Sequence, residues 1–275
     1  MMWLLLLGIL LLTVFFLYRS NQWVNYQIKF LLYYTLVNVI ALISMPIFLF
    51  RPFDVENYRI VGWMLLKTVH FIMQIKIDIR NKENTLSDKP AIMVCNHQSS
   101  IDLLGMMSIW PSRCTGMAKK SLLYAGPFGP SAWLAGTIFI DRFQPGKARE
   151  TMRGTVDLIK KKNVKVWVFP EGTRNHDGNM LPFKKGAFHL AIQAQIPIIP
   201  VVISTYDTFM NKKRKFFKSG KCILTCLPPV STEGLTADDV NSLTERVRDQ
   251  MVAVFKASSD EIREIARVDD AKKTQ

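Results

Sequence analysis

Apolar side chains fill the first fifty positions in two long runs, and beyond them they recur at helix and strand spacing in turn. Residues 3–18, WLLLLGILLLTVFFLY, are almost uninterrupted hydrocarbon, and residues 30–50 form a second run of about membrane-spanning length. Residues 58–74 are apolar at helical spacing and predict an amphipathic helix. The next stretch, IKIDIR, alternates with period two and predicts a strand. The polar loop NKENTLSDKP follows it and leads to a buried-type strand over residues 91–95.

Helical and strand patterns then take turns. The spacing predicts a helix from about Ser100, a strand near residues 114–118, a Gly/Pro-rich bend through YAGPFGPS, and a strand at TIFID. A helix over residues 147–161, a strand at VKVWVF, and a helix over residues 184–195 come next. Strands PIIPVVIS and CILTCL precede a helix over residues 238–256, entered after a Thr236 cap. Such alternation predicts an α/β fold: a largely parallel, helix-covered sheet with an N-terminal hydrophobic helical membrane anchor. The organisation expected is a two-helix anchor over 1–56, an amphipathic connecting helix over 57–74, an α/β domain over 75–256 and a charged, loosely ordered tail over 257–275.

The first run has the length of a secretory signal, but MM supplies no basic start and YRSNQWVNYQ holds no small-x-small cleavage site. An uncleaved anchor is therefore the preferred reading. Tyr18, Trp23, Tyr26, Tyr33 and Tyr34 lie around the ends of the runs, where amphipathic rings settle among headgroups.

Charge sharpens the choice of partner. The net charge is +14, yet only Arg19 and Lys29 of the 36 basic residues fall in the first fifty positions, which hold no acidic residue. The remainder is strongly basic and favours polyanions: nucleic acid, an anionic leaflet or a phosphorylated substrate. With the anchor in place, the bilayer and a phosphorylated lipid are expected and nucleic acid is not. The run NKKRKFFKSGK mixes bases with Phe216 and Phe217 and reads as a membrane-facing loop. The four cysteines, Cys95, Cys114, Cys222 and Cys226, form no CxxC pair and read as buried, reduced thiols.

Two stretches carry candidate chemistry. In NHQSSID, His97 and Asp102 stand five apart, which in an ideal helix separates them by roughly 140° around the axis. They meet only if His97 precedes the helix, as a strand ending at Cys95 and the capping-box pattern Ser99-x-x-Asp102 indicate. An imidazole held by a carboxylate on one nitrogen leaves the other free as a general base. The competing reading is a helix-start carboxylate beside an ordinary loop histidine. In VWVFPEGTRNHDG a β-rich run breaks at Pro170 into a polar turn. Arg174 offers a planar fork of donors matched to phosphate, and Gly172 and Thr173 could add backbone N–H groups. Glu171 would repel phosphate unless paired, so it reads as a brace for a basic side chain or an acceptor for a substrate hydroxyl. A surface turn with a casual ion pair remains the alternative. GxSxG, P-loop and HExxH patterns are absent, which disfavours serine hydrolase, P-loop nucleotidase and zinc-protease chemistry.

The ordered set NHQSSID, GTIFIDR, FPEGTR and IPIIPVV resembles the four blocks of the glycerolipid acyltransferase family, most closely its animal 1-acylglycerol-3-phosphate acyltransferases. The similarity extends over about residues 58–256 and includes the long stretch VWVFPEGTRNHDGNMLPFKKGAFHLAIQAQIPI. The resemblance implies transfer of a fatty acyl chain from acyl-CoA to the 2-hydroxyl of lysophosphatidic acid, giving phosphatidic acid. It implies His97 as general base with Asp102 orienting it. Glu171, Gly172, Thr173 and Arg174 match the acceptor-binding block, with Arg174 as phosphate clamp and Arg142 and Lys119 adding positive charge. IPIIPVV would be a core strand shaping the acyl site. No metal and no cofactor is implied; acyl-CoA is a co-substrate, and lysophosphatidic acid and the lipid bilayer are the other partners. The KKTQ ending resembles a dilysine retrieval signal, which implies an endoplasmic reticulum membrane with the catalytic domain facing the cytosol. A related transferase using another lysophospholipid acceptor, and a catalytically silent lipid-binding protein, are the competing readings.

Overall fold

The computed structural model describes residues 2–274, without the side chains at positions 4, 10, 11, 70, 71, 145, 273 and 274. Helix α1 (Met2–Ser20) and helix α2 (Gln22–Phe50) are divided at Asn21, whose side chain accepts from the backbone N–H groups of Trp23 and Val24. That cap starts α2 eight residues ahead of the second apolar run, because Asn21 satisfies N–H groups that the helix itself cannot. Helix α3 (Asn57–Met73) joins the anchor to strand β1 (Ile75–Arg80).

Strand β2 (Ile92–Cys95), helix α4 (Asp102–Ser108), strand β3 (Cys114–Lys119), helix α5 (Phe128–Leu134) and strand β4 (Ile138–Ile140) follow. Helix α6 (Pro145–Lys162), strand β5 (Lys165–Val168), helix α7 (Gly186–Ala194) and strand β6 (Ile198–Ile203) complete the alternation. After a ribbon of β7 (Met210–Asn211) and β8 (Phe216–Phe217), strand β9 (Gly220–Cys226) leads to helix α8 (Val240–Thr274). Two of these differ from the pattern reading. The Gly/Pro-rich bend contains α5, a short helix that pattern alone missed, and NKKRKFFKSGK folds back as the β7–β8 ribbon.

The seven-stranded sheet runs β1-β9-β6-β2-β5-β3-β4, with every neighbouring pair parallel except β6 and β9. Its two faces bury separate cores. One, around Met93, Cys95, Met107, Trp167 and Leu224, takes in α2, α3 and α4; the other, around Ile92, Val94, Val166, Phe188 and Val247, lies beneath α6, α7 and α8. Buried on both faces, β2, β5 and β6 read as continuous apolar runs. Gly105 lets α4 close on the sheet: a Cβ there would meet Ile203 at 3.0 Å and Leu224 at 3.3 Å. All four cysteines are buried and free, and burial pushes Cys222 and Cys226 up to about 12.

The C-terminal segment corrects the sequence reading. Residues 257–274 are not a loose tail but the second half of α8. Ser259 and Ile262 are buried, and Ser259 Oγ accepts from the Thr205 N–H at 2.9 Å. Arg80 pairs with Glu261 at 2.6 Å and Lys221 with Asp269 at 2.9 Å, so two of the segment's acids are tied to the β1–β9 edge. Of the KKTQ ending, only the Lys272 side chain lies within the described residues.

Among the described residues α2 is the one helix long and apolar enough to cross a membrane. Its 29 residues extend about 43 Å. Tyr26, Tyr33, Ile40, Ala41, Ser44 and Phe48 are buried along one side, at helical spacing from near its start to near its end. Leu31, Leu42, Ile43, Leu49 and Phe50 are exposed on the rest, as are Leu5, Leu12, Phe15 and Phe16 of α1. An exposed apolar surface of this extent marks the chain for membrane association.

Candidate active site

The C-terminal ends of β2, β5, β3 and β4 share one edge of the sheet, because these strands are mutually parallel neighbours. Ligand sites of open α/β sheets lie at such edges. The predicted site residues follow these strands: His97 and Asp102 after β2, Glu171 to Arg174 after β5, Lys119 at the end of β3, and Arg142 just past β4.

His97 stands outside α4, two residues beyond β2, and Asp102 is the first residue of the helix. His97 Nδ1 and Asp102 Oδ2 are 2.7 Å apart, with Asp102 1% exposed. The same oxygen accepts from the N–H groups of Gln98 at 2.7 Å and Ser99 at 2.9 Å. One carboxylate oxygen therefore closes the turn into α4 and fixes the imidazole. With Nδ1–H donated to Asp102, Nε2 is left as the acceptor, and it has no hydrogen-bond partner among the described residues. Phe169 stacks on the imidazole at 4.0 Å between centroids and 19° between planes. Tyr206 is buried nearby, and desolvation together with the Asp102 charge pushes its phenol well above the usual range.

Glu171 braces backbone rather than a basic side chain. It is 4% exposed; Oε1 accepts from the His97 N–H at 2.7 Å, and Oε2 from the Leu181 N–H at 2.9 Å. Burial raises its carboxyl, an effect those two backbone bonds oppose. Its place is as a strut between two loops, rather than as a partner for a basic side chain. The Asn175 N–H adds a second tie, donating to the His97 carbonyl at 2.8 Å. Gly172 adopts φ +72°, and its carbonyl accepts from Arg142, whose guanidinium is lowered by partial burial. Arg142 thus binds the β4 loop to the β5 loop.

Thr173 and Arg174 are exposed, and the Arg174 guanidinium has no ion pair or hydrogen bond among the described residues. Lys119 is exposed on the same sheet edge and likewise unpaired. Among the described residues, no three His, Cys, Asp or Glu side chains gather as a metal's ligands.

Asn96, Gln98 and Lys184 were not singled out from sequence, and Tyr33 and Tyr34 were read only as rings at the headgroup level, where Tyr33 is instead buried. Asn96 is a backbone mimic: its amide donates to Ile203 O at 2.9 Å and accepts from Ile203 N at 2.8 Å. Gln98 Nε2 donates to the carbonyls of Ile203 and Ser204. The residues on either side of His97 are therefore pinned to the end of β6. From the anchor, the hydroxyl of Tyr33 donates to the Ser100 carbonyl at 2.8 Å and that of Tyr34 to Ser100 Oγ at 2.9 Å. Lys184 packs over Gly172, with its Nζ 2.9 Å from where a Cβ would stand. The flanking polar residues of NHQ were a visible signal for Asn96 and Gln98; nothing local pointed from Tyr33 to Ser100.

A histidine–carboxylate pair stands beside an exposed arginine loop at the C-terminal edge of a parallel sheet, and residues 76–204, which contain them, match the family model described as Acyltransferase. The human 1-acyl-sn-glycerol-3-phosphate acyltransferase alpha is 47% identical over 235 residues, 86% of this chain and 83% of its own. The 1-acyl-sn-glycerol-3-phosphate acyltransferase of Saccharomyces cerevisiae is 42% identical over 207 residues, 74% of this chain and 68% of its own. The chain belongs to the 1-acyl-sn-glycerol-3-phosphate acyltransferase family. The crystal structure of PlsC from Thermotoga maritima, titled as a 1-acyl-sn-glycerophosphate (LPA) acyltransferase, shares the fold. Its TM-score is 0.62 at 23% identity, over 86% of this chain and 99% of that one.

Proposed function

We propose that this protein transfers a fatty acyl chain from acyl-CoA to the 2-hydroxyl of lysophosphatidic acid, giving phosphatidic acid. The observation that carries the reading is the 2.7 Å His97–Asp102 contact, which leaves Nε2 without a partner on the sheet edge that also bears Arg174. His97 Nε2 takes the proton of the acceptor hydroxyl as its oxygen attacks the thioester carbonyl. Asp102 stabilises the imidazolium so formed. When the tetrahedral intermediate collapses, a C–O ester bond has formed and the C–S bond breaks. The thiolate leaves and recovers the proton from His97. A thiol's ordinary pKa of about 8.5 makes it a good leaving group, so no stronger acid is required. Arg174 clamps the acceptor phosphate as a bidentate fork, with Lys119 adding charge.

Acceptor and product partition into lipid while acyl-CoA is water-soluble, so the site belongs at a headgroup plane. The endoplasmic reticulum membrane, with the domain facing the cytosol, is part of the proposal and is supported by a water-soluble donor that arrives from the cytosol.

The test is thiol release by detergent-purified protein given acyl-CoA and lysophosphatidic acid. His97→Ala is expected to lose about 10²- to 10⁴-fold in kcat, the usual contribution of a general base. Arg174→Ala is expected to raise KM for the acceptor chiefly. Equal turnover by wild type and His97→Ala would sink the mechanism. Faster turnover of a lysolipid with another head group would move the acceptor assignment.

A further inference from the structure

The β7–β8 ribbon plays no part in the chemistry above, yet it touches both the anchor and the loop that carries Arg174. On the anchor side, Lys29 Nζ donates to the Phe217 carbonyl at 2.8 Å and Gln22 Nε2 to the Arg214 carbonyl at 2.9 Å. Phe30 packs on Phe217 at 5.3 Å between ring centroids. On the other side Lys213 pairs with Asp177 at 2.6 Å, three residues beyond Arg174. The charge of Lys212 joins burial in lowering His176.

The ribbon's cations fall into two groups. Lys213 and Lys218 each face an aspartate, Asp177 and Asp270. Lys212, Arg214 and Lys215 face no acid among the described residues. Arg214 instead lies over the Phe216 ring at 5.4 Å and Lys215 over the Tyr26 ring at 5.5 Å. Such contacts orient a cation without neutralising it. Three uncompensated charges within four residues repel one another, and the Gln22 bond to the Arg214 carbonyl ties them to the α1–α2 bend. Trp23, next to Gln22, is 54% exposed, and on α1 Arg19 lies over exposed Phe15. Cations at the rim of an apolar face, with an amphipathic indole beside them, are what an anionic headgroup layer selects.

We propose that the turn of the β7–β8 ribbon, with the α1–α2 bend, is a docking surface for anionic phospholipid headgroups, holding the Arg174 side of the catalytic edge against a negatively charged leaflet. This goes beyond the acyl-transfer reading and does not need it, since docking requires no turnover. The paired lysines keep the ribbon in place, and the unpaired three meet the lipid.

Vesicle flotation of the full-length protein tests this, using phosphatidylcholine alone or with added phosphatidylserine. Phosphatidylserine is expected to strengthen partition of the wild type, and raised salt to reverse the gain. The triple variant Lys212→Gln/Arg214→Gln/Lys215→Gln should lose about 10²-fold of the phosphatidylserine-dependent partition, roughly fivefold per cation, and keep its binding to phosphatidylcholine. A matched variant, Lys160→Gln/Lys161→Gln/Lys162→Gln, removes the same charge from exposed positions at the end of α6, on the opposite edge of the sheet. It should partition like wild type. Equal loss in both triples would reduce the effect to net charge and overturn the proposal, as would no loss in the ribbon variant. Competition by inorganic phosphate beyond its ionic strength would mean a discrete phosphate site and would also overturn it.

Discussion

Two carboxylates organise the candidate catalytic edge, and each works on backbone as much as on side chains. Asp102 Oδ2 receives three donors, so the oxygen that starts α4 also sets the histidine tautomer. Glu171 receives the N–H groups of His97 and Leu181 and ties the β2 loop to the β5 loop. An amide at position 171 has one acceptor oxygen for two donors, and a buried N–H left alone costs about 1–3 kcal/mol. Glu171→Gln should therefore lower the midpoint of thermal unfolding at neutral pH. It should also alter a pH slope. Burial raises the Glu171 carboxyl, so between its ordinary range and the raised value the folded state holds the proton more tightly than the unfolded chain. Stability conferred at low pH is lost as pH rises through that window, and the glutamine variant should lack this component. Identical midpoints and slopes in the two proteins would show that the strut is dispensable.

At the scale of elements, α2 is coupled to the loop that carries His97 and Asp102. Tyr33 and Tyr34 both end on Ser100, midway between His97 and Asp102. A hydrophobic helix that served only as an anchor would have no use for two phenols aimed at that loop. Tyr33→Phe removes one neutral hydrogen bond, about 0.5–1.5 kcal/mol, without changing the ring that fills the core. It is expected to lower kcat by a few fold with little change in KM for acyl-CoA. Because both phenols hold one residue, the double variant with Tyr34→Phe should depart from additivity. Wild-type kcat in the double variant would show that the tyrosines pack but do not position.

For the whole molecule, the anchor and the domain share a core. Tyr26, Tyr33 and Ile40 belong to the same buried cluster as Leu65, Met107 and Trp167, so the N-terminal helices are a layer of the fold as well as a membrane element. Deleting residues 1–56 would uncover that face. The truncated protein is expected to aggregate in detergent-free buffer rather than behave as a monodisperse domain, as size-exclusion chromatography would show. A soluble, monodisperse truncate would mean that the domain buries its own core unaided.

Sequence by itself determined most of the elements, though not α5, the β7–β8 ribbon or the second half of α8, and it placed the candidate site residues after their strands. The apolar runs, the period-two strand IKIDIR and the continuous strands at β2, β5 and β6 state which surfaces leave water, because side-chain periodicity follows backbone geometry. His97 could be placed outside its helix from the strand end at Cys95 and the capping-box pattern Ser99-x-x-Asp102. Periodicity says that a face is buried but never against what, and that the tertiary structure decided. Strand β2 lies between β6 and β5, whose partners for Val94 are Pro200 and Val168, far along the chain. That sheet order brings Glu171 under His97, Asn96 onto β6 and Tyr33 onto Ser100. Residues 257–274 looked solvated by composition, yet two of their acids find Arg80 and Lys221 on a sheet edge that exists only once β1 and β9 have paired.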